Sequence, residues 1–82
     1  MEKSIADLAE NKVLILYLLN KLSDGIKSDN LYKIVSSANN INYFYFQELL
    51  TDLIATNLVG SFTKDEDTFI KITSEGQNSL SA

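Results

Sequence analysis

NYFYFQELLTDLIATNLVGSFTKDEDTFIKIT, residues 42–73, decides the fold. Its first half has helical spacing. At 100° per residue, Phe46, Leu49, Leu50, Leu53 and Ile54 form one apolar stripe, with Tyr43 over it. Phe44, Glu48, Thr51, Asp52 and Ala55 fall on the opposite side, and Tyr45 and Gln47 on the flanks. Asn42 suits the N-cap. The helix is expected to run to about Thr56, with Asn57 in the left-handed position that closes it. The second half has strand spacing. Leu58–Thr63 and Phe69–Ile72 alternate with period two around a charged turn, Lys64-Asp65-Glu66-Asp67, and so predict an antiparallel hairpin over about 58–73.

Upstream, Ser28 or Asp29 is expected to cap a second helix whose inward positions are Leu31, Ile34, Val35 and Ala38. Asn39-Asn40 then makes a tight turn, because Asn tolerates the left-handed region. Ile26 sits alone in a short extended stretch after Ser23-Asp24-Gly25, where Gly25 supplies a left-handed residue. A first helix is expected from about Leu8 to Leu22. Its Val13–Leu19 run is apolar all round, whereas a surface helix alternates polar and apolar faces. It is read either as the central helix of the core or as a central helix that also meets a second subunit. Downstream, Thr73 caps a short helix, Ser74–Leu80, anchored by Leu80. The order helix-strand-helix-helix-strand-strand-helix is that of a winged helix-turn-helix, an α+β domain that is mainly α.

The 82 residues make a single domain, 1–82. So small a chain buries only about 60–65% of its unfolded surface. It has no Cys and no His, which removes disulfides and structural zinc as supports. A partner surface remains, and a homodimer is expected. No run reaches the ~18 apolar residues of a membrane span. The Met1-Glu2-Lys3-Ser4 start lacks the apolar run of a secretory leader, so a cytoplasmic location is expected. Enzyme chemistry finds no footing. Without His no unperturbed side chain titrates near neutrality, and Ser36, Ser37 and Ser74 have no base to activate them. Asp65-Glu66-Asp67 lacks the spacing of a calcium loop, and Gly25, Gly60 and Gly76 are too scattered for a phosphate loop. No cofactor or metal is called for.

Several strings resemble a known family: Leu8-Ala9-Glu10-Asn11-Lys12 before the apolar helix, Ile41-Asn42-Tyr43-Phe44, Leu50–Leu53, and Ile72-Thr73-Ser74-Glu75-Gly76. Together they resemble the bacterial winged-helix family known as domain of unknown function 4364, which is similar to the PadR-like transcriptional regulators. The resemblance covers nearly the whole chain. It implies a DNA-binding-type domain of a transcriptional regulator; members of the family are usually longer, with a second region after the last helix.

The charges oppose the DNA reading. The chain carries seven Lys, no Arg and eleven acids, for a net charge of −4. Between Asn42 and Thr73 there are two lysines and five acids, a balance of −3, where phosphate ought to sit. Neutral donors favour DNA: Asn40, Asn42, Tyr45, Gln47 and Thr51 at or near the third helix can bond phosphate or base edges. Glu48 can accept from cytosine, and Lys27, Lys33 and Lys64 can reach the backbone. The alternative is a protein-interaction module that does not bind DNA directly. It would use Phe44 and Tyr45, both outside the apolar stripe, while the first-helix residues Val13, Leu16 and Tyr17 are the candidates for a contact between subunits.

Overall fold

A computed structural model describes the backbone of residues 5–81 and the side chains of 9–81; the Met1–Ser4 start lies outside the described residues. The elements are α1 (Ile5–Lys21), β1 (Ile26–Lys27), α2 (Ser28–Asn39), α3 (Tyr43–Ala55), β2 (Val59–Lys64), β3 (Asp67–Ile72) and α4 (Ser74–Ser81). The three strands form an antiparallel sheet in the order β1-β3-β2. This is the winged-helix order expected from the sequence.

The Val13–Leu19 run places α1 at the centre, against α2, α3, α4 and β3. Ile15, Leu16 and Leu19 are buried, and Leu14 and Leu18 pack against the core from its margin. Leu16, expected at an interface, is therefore a core residue. Val13 and Tyr17 remain about half exposed, at 54% and 52%.

Two apolar stripes are rotated from their expected positions. On α2, Leu31 and Val35 are buried, but Ile34 is 42% exposed and Ala38 lies outside. The inward face turns instead toward Tyr32, whose ring packs edge-on to Tyr43 and tilted against Phe46, both at 5.3 Å. On α3, Phe46, Leu49, Leu50 and Leu53 are buried as expected. Ile54 and Tyr43 are partly outside, and Tyr45, expected on the surface, is buried. The Tyr45 hydroxyl accepts a hydrogen bond from Asn11 Nδ2 (3.3 Å), and Asn11 Oδ1 accepts one from Asn39 Nδ2. This chain of polar groups draws the flank of α3 inward.

The helix ends follow local chemistry. Asn42 Oδ1 accepts from the Tyr45 amide at 2.8 Å, so the N-cap of α3 is as read. At the other end Asn57 adopts φ 62°, with its N–H on the Ile54 carbonyl and the Leu58 N–H on the Leu53 carbonyl. That pair of bonds is a Schellman closure, and it holds Leu58 outside the strand that was expected to begin there. The cap expected at Ser28 or Asp29 is not formed. Lys27 occupies the N-cap position without a side-chain bond, because β1 runs directly into α2 and Ser28 is already helical. The wing turn is tighter than expected. Lys64 pairs with Asp67, leaving only Asp65 and Glu66 between the strands, with φ 52° and 68°. Two positive φ values are the signature of a type I′ hairpin, whose twist matches the strands.

Candidate nucleic-acid interface

The outward side of α3 is the surface that a winged helix offers to a groove. Phe44, Gln47, Glu48, Thr51 and Asp52 line a shallow concavity there. Phe44 is 82% exposed. Thr51 Oγ1 donates to the Gln47 carbonyl (2.8 Å), so its proton is committed within the helix. Asp52 pairs with Lys12 of α1 at 3.3 Å, an exposed contact. Such pairs add little stability, but this one keeps a lysine beside an acid on the flank of α3.

The structure brings some of the expected contact residues together and separates others. Gln47, Glu48 and Thr51 share the outward face with Phe44. Asn42 stands exposed at the helix start with its side-chain Oδ1 used by the cap, and Asn40 lies exposed two residues earlier at φ 51°. Tyr45 leaves the set, since its ring is in the core. Lys33 is exposed on α2. Lys27 and Lys64 belong to the sheet, and Lys27 Nζ is already held by Asp67 Oδ2 at 3.1 Å.

The outer face of the sheet gathers side chains that period-two alternation alone does not bring together. The register places Gly60 opposite Lys71, Phe62 opposite Phe69, Lys64 opposite Asp67, and Lys27 beside Phe69. Directly opposed residues share a face. The buried pair Val59 and Ile72 marks the inner face. Lys27, Lys64, Lys71, Phe62 and Phe69 therefore lie together on the outer one. Phe62 and Phe69 stack with centroids 5.4 Å apart and planes 15° from parallel. The signal for this face was present in the period-two alternation, but the register that joins β1 to β3 was not. Among the described residues no group of side chains is placed to hold a metal ion, and no helix is long and apolar enough to cross a membrane.

These features define a winged-helix domain with a small three-stranded antiparallel sheet. The chain belongs to the family described as Domain of unknown function (DUF4364), whose model matches residues 11–82. Its fold is similar to that in the crystal structure of SSV1 F-93, a winged-helix protein, with a TM-score of 0.75 and 20% sequence identity. The similarity covers 83% of this chain and 74% of that one. No curated protein matches the sequence.

Proposed function

We propose that this chain is the DNA-binding-type domain of a transcriptional regulator, acting as a dimer. The observation that carries this reading is the outward face of α3. Gln47, Glu48 and Thr51 stand clear of the core, beside a wing whose hairpin is fully paired. A helix free on one side and flanked by a β-ribbon is the arrangement by which such domains enter a major groove. The fold shared with SSV1 F-93 is in keeping with it. Dimerisation would place two such helices about one DNA turn apart, and the half-exposed Val13 and Tyr17 of α1 offer apolar surface for the contact.

The test is a titration of the protein against a random-sequence DNA duplex at several salt concentrations. Binding at low salt with a negative slope of log affinity on log salt is expected, at about −0.9 per phosphate neutralised. No binding at low salt, or affinity indifferent to salt, would defeat the reading. The dimer is checked separately by sedimentation at tens of micromolar. Twice the chain mass is expected, and a single-chain mass refutes it.

A second reading rests on Phe44. An aromatic ring 82% exposed, with Glu48 and Asp52 on the same face, suits a basic protein partner better than a phosphate backbone. In that case DNA binding is absent while Phe44→Ala abolishes partner capture.

A further inference from the structure

We infer that the cationic contact with DNA is made by the outer face of the sheet rather than by α3, with the β2–β3 hairpin lying flat against the duplex as a two-stranded ribbon. This rests on the DNA-binding reading and resolves its main difficulty, the acidic charge of the α3–wing segment.

Charge is sorted by face. The outer face of the sheet holds three lysines, Lys27, Lys64 and Lys71, against one acid, Asp67. Asp67 is satisfied by Lys27. Among the described residues neither Lys64 nor Lys71 takes part in an ion pair, and both are exposed. On α3, by contrast, the outward side carries Glu48 and Asp52 and no lysine. The acids Asp65 and Glu66 occupy the end of the hairpin, which disfavours docking tip-first and leaves the flat of the ribbon.

Dimensions agree. Lys71 pairs with Gly60, four residues from Lys64 along β2. At ~3.4 Å per residue the two lysines stand roughly 14 Å apart along the strand. The major groove is about 12 Å wide and admits a two-stranded β-ribbon. Lys64 and Lys71, on different strands and about a groove's width apart, can therefore each reach a phosphate of the duplex. The stacked Phe62 and Phe69 lie between them as an apolar surface for sugars and base edges.

The test compares three proteins on one random-sequence duplex across a salt series: the unaltered chain, Lys64→Gln/Lys71→Gln and Gln47→Ala. The substituted side chains are not among the buried core residues, and circular dichroism confirms the fold. Loss of two phosphate contacts should make the salt slope shallower by about two and weaken binding about tenfold or more near 0.1 M salt. Gln47→Ala should leave the slope unchanged. If the lysine variant binds with the original slope, the ribbon contact is overturned while DNA binding stands. If the unaltered chain binds no duplex at low salt, both fall.

Discussion

Replacing Gly76 by alanine should lower the thermal midpoint by about 12–24 °C, although the substitution lies in a helix. Helix propensity alone argues for the opposite sign, since alanine in place of glycine favours a helix by about 1 kcal/mol. Packing reverses it. Gly76 is buried in the first turn of α4, and a methyl group there would overlap the Leu58 carbonyl oxygen and stand 2.7 Å from Ile72 Cγ1. The obstruction is backbone, and that backbone is already engaged. The Leu58 carbonyl accepts from the Thr73 amide at 3.1 Å. Thr73 Oγ1 accepts from the Gly76 amide at 3.0 Å and donates to the Asn57 carbonyl at 2.6 Å. Glu75 accepts from Asn57 Nδ2 at 3.1 Å. The corner where α3 passes into β2 and the start of α4 are thus one hydrogen-bonded unit with no slack to admit a carbon. Overpacking of this kind costs about 3 kcal/mol at the upper end of its usual range. A domain of this size has only about 4–12 kcal/mol in total, and each kcal/mol moves its midpoint by about 4–8 °C. The control is Ser79→Ala on the exposed side of the same helix, which should shift the midpoint by less than about 4 °C. A Gly76→Ala protein as stable as the original would show that the corner yields.

Which features could be read from the sequence follows from the range of the forces that set them. The order of elements, the Asn42 cap and the left-handed Asn40 and Asn57 depend on residues within a turn of one another, so the string of side chains states them directly. Helix rotation does not have that property. Ile34 and Ile54 fit their stripes by spacing, yet lie partly outside, because the faces of α2 and α3 are fixed by the Tyr32 ring against Phe46 and by the bond between Asn11 and Tyr45. Partners 14 and 34 residues away carry no periodic signal. The N-cap of α2 falls at Lys27 rather than at Ser28 or Asp29 for a similar reason: pairing of Lys27 with Phe69 extends the chain up to the first helical residue. Tyr45 shows the consequence for function. A tyrosine on the flank of a stripe is equally suited to a surface contact and to a buried polar link, and only its distant partner Asn11 decides between them.

The charge pattern was legible as a total but not as a distribution over surfaces. Five acids against two lysines in residues 42–73 made the segment uniformly unfavourable to phosphate. Folding divides that segment between a helix face and a sheet, adds Lys27 to the sheet from outside it, and collects Asp65 and Glu66 at one end. A net count cannot anticipate this, because the lysines that share a face come from three strands.

Asn11→Ala should cost about 2–3 kcal/mol, more than a surface position could, and the loss should depend on Asn39. Asn11 is 6% exposed, the one polar side chain counted in the buried core of the described residues. A mid-helix asparagine has poor helix propensity, so its place in α1 has to be supported by its bonds. It donates to the Tyr45 hydroxyl on α3 and accepts from Asn39 at the end of α2, tying three helices at one point. Each bond contributes about 1 kcal/mol net, and truncation adds a small cavity next to Ile15 and Tyr45, both of which belong to the core. Asn39 itself is exposed and can turn to water, so Asn39→Ala alone should cost less, about 1 kcal/mol. The two effects should not add. Groups in one network give interaction energies of about 0.5–3 kcal/mol, whereas independent sites add within about 0.3–0.5 kcal/mol. Urea unfolding of the two single variants and the double variant measures the difference, and additivity would mean that the Asn11–Asn39 bond contributes nothing in solution. The cycle also bears on function. These residues set the rotation of α3, so Asn11→Ala should change the duplex affinity of a protein that is still folded at low urea. The salt slope set by Lys64 and Lys71 should remain as it was, because the sheet register does not depend on this polar link.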